Sequence, residues 1–216
     1  MTTSEEWSVN FDILYNNISS NQAPGLTEYE KSVFLTQAQE AVILDLYKGT
    51  SGDAFETTEE VTRYLSSLVI DGVLFEKEGV QRLDLLDFKI YTYKEPEDLW
   101  FITFLCSNIS ISNNTKTVVA VPTKQDSLYK DLNNPFKGPN KNRVLYASEQ
   151  GVITMYSKYT VSDTHIKYLK RPNPIVLEDS ELEISDTSDF SVEIPESLHN
   201  QVLYKAVQLA KAVWQS

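Results

Sequence analysis

The sequence predicts an α+β fold: helices at the N-terminal end, a central antiparallel β-sheet region, and a C-terminal amphipathic helix. Three observations carry this. Thr27-Glu28-Tyr29-Glu30 reads as a capping box opening a helix with one apolar side. Runs of β-branched and aromatic residues crowd the middle of the chain. Leu198, Val202, Ala206, Leu209 and Val213 then recur at intervals of four and three, an amphipathic stripe that runs towards the C-terminus.

In chain order, residues 1–75 form the helical part. Between Glu5 and Ile18, the residues Trp7, Phe11 and Leu14, with Val9, Ile13 and Ile18 nearby, give a broad apolar face. Asn21-Gln22-Ala23-Pro24-Gly25 breaks the chain, because Pro-Gly favours a turn. The capped helix that follows sets Phe34, Leu35, Ala38, Ala41, Val42 and Leu46 on one side and ends before Gly49. A polar stretch at Thr50-Ser51-Gly52-Asp53 leads to a further helix, capped by Thr57 or Thr58, with Val61, Tyr64, Leu65 and Leu68 at helical spacing.

Residues 83–177 form the β-rich part, of about four to six strands by their composition. Phe88 to Tyr93, Leu99 to Leu105, and Thr117 to Val121 ending at Pro122 are strand-like; Asn113-Asn114 suits a turn. Gly151 separates Val144–Ala147 from Val152–Tyr156, a hairpin pattern. Ile166 to Lys170 runs into Arg171-Pro172-Asn173-Pro174, where two prolines stop any ladder. Asn133 to Asn142 reads as a long exposed loop, the kind that tends to contact something. Residues 178–194 read as an acidic linker, with a short strand around Leu182–Ile184, and residues 195–216 as the terminal helix, with Pro195 suited to its first turn. That helix is expected to fold back onto the helical part, the alternative being to dock on a neighbour. The whole is read as one domain, since 216 residues make one sizeable core and are short for two.

Composition narrows the function. The 31 acidic and 19 basic residues give a formal charge of −12, which disfavours high-affinity binding to phosphate backbones. It suits either a surface that resists nonspecific association or the wall of a conduit along which DNA slides. One cysteine, Cys106, forms no internal disulfide and fits assembly in a reducing cytoplasm. No apolar run approaches the roughly 20 residues of a membrane span, and the acidic N-terminus lacks the pattern of a signal peptide.

A search for chemistry finds little. His165 and His199 have no cysteine near them in sequence, so no zinc pattern forms. Cys106 follows an apolar run and reads as an inert thiol. Phosphate-binding, dinucleotide and serine-hydrolase motifs are absent. Asp84, Asp87, Glu95, Glu97 and Asp98 cluster in sequence and could share acid and base roles. With carboxylates at 31 of 216 positions, however, such clusters arise by chance. No catalytic residue, metal ligand or cofactor is assigned. Lys137-Gly138-Pro139-Asn140-Lys141-Asn142-Arg143 concentrates positive charge, with only Phe136 as an aromatic, so it is a weak nucleic-acid site. In an acidic protein it suits an acidic partner, including another copy, to which residues 178–196 would offer a counterpart. The candidate subunit contacts are therefore Lys137, Lys141 and Arg143 in the loop, and Leu198, Val202, Leu209 and Val213 on the terminal stripe.

Three stretches together carry a resemblance: Phe11 to Leu26 running into Thr27–Ser32; Lys167 to Ile175; and Ile194-Pro195-Glu196-Ser197-Leu198-His199 continuing through Ala206–Ala210. In this order they resemble structural proteins of crAss-like Bacteroidales phages, in particular those that form head-to-tail connector rings. The resemblance implies a virion protein that closes into a cyclic homo-oligomer, twelve-fold below the portal. Its partners would be the portal and other connector or tail proteins, with DNA only as passing cargo, no membrane and no cofactor. It also implies assembly in the host cytoplasm and residence in the neck of the virion. Ring closure needs one surface of a subunit to meet a different surface of the next. The alternatives are another virion component (tail, capsid-decorating or cargo), a small hydrolase using the Asp84–Asp98 carboxylates, or a monomeric interaction module with an acidic linker.

Overall fold

A computed structural model describes residues 3–18, 25–49, 59–74, 88–112, 114–177 and 192–214. The chain divides into two compact units, one of residues 1–68 with 171–216 and the other of residues 69–170. The break at 21–24, the caps at Thr57 or Thr58, Asp84 and Asp87, and the strand at 182–184 lie outside the described residues.

The first unit is helical. Helix α1 (Ser4–Ile18) opens on Thr3, whose hydroxyl accepts the Glu6 amide at 3.3 Å while the Glu6 carboxylate accepts the Thr3 amide at 3.0 Å. This second capping box, Thr3-Ser4-Glu5-Glu6, has the same residue types and spacing as the first. α1 buries Trp7, Phe11 and Tyr15, one residue per turn, and leaves Val9 and Ile13 more than half exposed. Helix α2 (Glu28–Lys48) has the expected box: Thr27 Oγ1 accepts the Glu30 amide at 3.3 Å, and Glu30 Oε2 accepts the Thr27 amide at 2.8 Å. It ends on Gly49, whose left-handed backbone (φ 64°, ψ 46°) suits a residue without Cβ.

The buried face of α2 is rotated from the expected one. Leu35, Ala38, Val42 and Ile43 are buried together with Lys31, Ser32 and Gln39, whereas Phe34, Ala41 and Leu46 are half-buried. The polar members have work to do. Ser32 Oγ accepts the Leu177 amide at 2.8 Å, Thr36 Oγ1 the Ile175 amide at 3.1 Å, and Gln39 Nε2 donates to the Asn173 carbonyl at 3.2 Å. A polar line at helical spacing thus pairs with every second residue of an extended strip, 171–177, whose prolines bar it from a sheet. Helix α3 (Glu59–Leu65) passes through a 3-10 turn (Ser66–Leu68) and buries Leu65 and Leu68. Helix α5 (Glu196–Trp214) packs on α2 and α1, the fold-back expected of it.

Among the described residues, the second unit is a seven-stranded sheet with one helix, α4 (Gln125–Leu132). Its strands are β1 (Val69–Val73), β2 (Lys89–Lys94), β3 (Leu99–Ile111), β4 (Asn114–Pro122), β5 (Arg143–Glu149), β6 (Val152–Ser157) and β7 (Thr160–Lys170), in the order β1-β7-β3-β4-β5-β6-β2. The β5–β6 hairpin turns at Gln150 and Gly151, both at positive φ (52° and 75°), as a two-residue turn requires. Two features differ from expectation. β1 lies in the stretch read as helical and brings the strand number to seven. The sheet is antiparallel except for β4 and β5, which run parallel. A parallel pair needs a crossover connection, and α4 supplies it together with the 133–142 stretch, which is a loop as expected.

Alternation along the strands sends one set of side chains, including Tyr91, Tyr93, Leu105, Ile109, Val144, Ile153, Met155 and Ile166, into a shared core. The sheet curls over this core until opposite ends meet: Tyr91 Oη of the last strand, β2, accepts the Val161 amide of β7 at 3.0 Å. On the other face, Leu128 and Leu132 of α4 pack on Leu145, Ala147 and Tyr156.

Candidate functional site

The basic loop is a built structure. After α4, Asn134 Oδ1 accepts the amides of Phe136 (2.8 Å) and Lys137 (3.2 Å), closing a turn around Pro135. The Gly138 amide donates to the Asn134 carbonyl at 2.7 Å. A Cβ on Gly138 would lie 2.8 Å from the carbonyl oxygens of both Asn134 and Leu132, so only glycine fits the approach. Asn140 and Arg143 exchange backbone hydrogen bonds (2.9 and 3.2 Å), and Arg143 Nε donates to the Gly138 carbonyl at 3.1 Å. From β4, Lys116 Nζ donates to Asn142 Oδ1 at 2.6 Å.

The structure separates the three basic residues into two kinds. Lys137 and Lys141 are exposed, whereas Arg143 is half-buried and fastens the loop; its Nη2 is buried with no hydrogen-bond partner among the described residues. At the tip stands Phe136, 86% exposed, the most exposed large apolar side chain among the described residues. Sequence composition singled out the charges here; the ring's exposure follows from the Asn134 turn, which composition does not reveal.

The terminal stripe divides too. Leu198 and Val202 are fully buried within the first unit, alongside Leu203, Ala206, Val207 and Ala210. Leu209 is half-buried and Val213 is 60% exposed. The buried line follows 198, 202, 206 and 210, and 209 and 213 turn away from it. The helix fold-back therefore occupies Leu198 and Val202 and leaves Val213 outermost of the four.

The described carboxylates of the 84–98 cluster each have a separate partner. Glu95 accepts a hydrogen bond from Ser148, Glu97 pairs with Lys94 at 2.9 Å, and Asp98 accepts from Tyr168 Oη at 2.9 Å. Burial, reinforced by Asp98, pushes the Tyr168 phenol up to about 12. His199 packs against Trp7 with ring centroids 5.0 Å apart, its Nε2 3.2 Å from the Ile194 carbonyl, a structural placement. Cys106 lies half-buried in one cross-strand row with Val73, His165 and Val119. Burial first, and Asp71 second, push its thiol up, with Lys167 opposing, which makes it a poor nucleophile at neutral pH. Among the described residues no three His, Cys, Asp or Glu side chains gather to hold a metal, and no helix is long and apolar enough to cross a membrane.

What the surface offers is contact: a rigid basic loop with an apolar tip and helices with exposed apolar residues. The chain belongs to the phage tail ring protein 3/4 family, whose profile matches residues 1–216. It is 36% identical over 219 residues to "Ring protein 3" of Bacteroides phage crAss001, covering 96% of this chain and 94% of that protein. It is also 31% identical over 229 residues to "Ring protein 4/5" of the same phage, covering 97% and 92%. It is thus a ring-type structural protein of a crAss-like phage, as the three sequence stretches implied.

Proposed function

We propose that this chain is the repeating subunit of a ring in the head-to-tail connector, between portal and tail and around the channel through which DNA leaves. The observation that carries the reading is the family match along all 216 residues, to proteins themselves named as rings. The subunit would associate with copies of itself in a cyclic, twelve-fold array, and with the portal and other connector or tail proteins above and below. Its work is surface meeting surface, with no catalytic step and no cofactor. A net charge of −12 per subunit would keep the channel wall from holding phosphate backbones as DNA passes.

Imaging of purified particles by cryo-electron microscopy, with copy number measured against the portal by mass spectrometry, tests this. A copy number equal to the portal's, or a simple multiple of it, with density in the neck, is the expected result. Absence from mature particles would overturn the reading, and density in the capsid shell would replace it with a decorating role.

A further inference from the structure

We propose that the Phe136 tip, with Lys137 and Lys141, is the docking knob of the ring, and that it receives the acidic segment 178–192 of the next copy; this rests on the ring reading above. The knob has the traits of an interface anchor. An aromatic ring 86% exposed on a turn fixed by Asn134 and Gly138 loses little freedom when it is buried. Lys137 follows it and Lys141 lies further along the same loop, both exposed, so the partner should carry carboxylates around apolar side chains.

The chain itself contains such a partner. Between Arg171 and Lys205 there are eight carboxylates and no Lys or Arg, and Leu182, Ile184, Phe190 and Val192 are set among the acidic residues. Residues 178–191 lie outside the described structure, so this segment is chain whose seat the structure does not already assign. Nucleic acid is the weaker occupant. One aromatic and two free lysines on a subunit of charge −12 make neither a stacking platform nor a phosphate track. Knob and segment are different surfaces of one chain, so their pairing is heterologous, the type that closes rings.

The test uses the full chain, mixed in equal parts as unlabelled and 15N-labelled protein and treated with a zero-length amine–carboxyl cross-linker. Links from Lys137 or Lys141 to the tryptic peptide 171–205, joining a labelled to an unlabelled chain, are expected. Lys137→Glu with Lys141→Glu should abolish both the links and self-association. Adding Glu181→Lys and Glu183→Lys to the same chain should restore them. Both lysines are exposed, so the reversal should leave the fold intact, with an unchanged circular dichroism spectrum as the check. Links confined to chains of one label would make the contact internal and overturn the proposal. So would links from the loop to another peptide, or self-association unchanged by the reversal. A chain that never self-associates yet is present in particles overturns the docking and spares the ring reading; absence from particles removes both.

Discussion

Lys31 is only 4% exposed in α2, and its Nζ lies 2.7 Å from Asp12 and 2.9 Å from Glu28, with Ser8 at 3.1 Å. It ties α1 to α2 by a charge that sequence periodicity reads as solvent-facing. Burial alone would lower its pKa, but the hydrogen bonds and charges of Asp12 and Glu28 outweigh it and raise it above 10.5. A raised lysine pKa means stability fully present below the unfolded value and lost as pH climbs through the folded one. Lys31→Met should cost about 1–2 kcal/mol at neutral pH, less than a fully buried pair because the carboxylates left behind partly rehydrate. Urea unfolding at pH 7 and at pH well above 10.5 checks it: the gap between wild type and variant should narrow in alkali, and a constant gap would refute the charge argument. The same contrast explains what was legible at this scale. Thr27, Glu30 and Gly49 announce themselves because caps use few residue types, whereas Lys31 looks like surface until Asp12 and Glu28 meet it, and Ser32 and Gln39 until the strip 171–177 supplies their partners.

At the scale of elements, the curl of the sheet depends on polar atoms inside it. Tyr91 Oη takes the Val161 amide at 3.0 Å, Thr164 Oγ1 donates to Tyr93 Oη at 3.1 Å, and Ser107 meets Thr164 at 3.0 Å. Tyr91→Phe keeps the ring and removes the acceptor, leaving a buried amide unpaired at a cost of about 1–3 kcal/mol. Hydrogen exchange should quicken at Val161 ahead of its neighbours in β7; uniform exchange would mean that the ladder, and not Tyr91, holds the curl. Elements with clean alternation, such as β5 and β6 around Gly151, were readable from residue type alone. β1 was not: Val69-Ile70-Asp71-Gly72-Val73 directly follows a helical pattern and becomes a strand through pairing with β7. α4 was hidden for the opposite reason, since Gln125 to Leu132 is mostly polar and only Leu132 is fully buried. The parallel pairing of β4 with β5 goes with that helix, because parallel neighbours need a crossover between them.

At the scale of the molecule, the second unit is one unbroken stretch set into the middle of the first. Its first residue, Val69, pairs with Leu169, next to its last, so the chain enters and leaves through neighbouring strands of one sheet. An insertion with adjacent ends closes no long loop in its host, and a curled sheet with its own core needs no host to bury it. Residues 69–170 expressed alone should therefore fold, with dispersed amide resonances and a single cooperative urea transition. The strip 171–177 stays behind in this design, because its backbone pairs with Ser32, Thr36 and Gln39 of α2. Extending the fragment to residue 177 should accordingly add no stability. A fragment that is unfolded at 69–170 but folded at 69–177 would move the boundary of the unit, and one unfolded at both lengths would show that the sheet's core is completed from elsewhere in the chain.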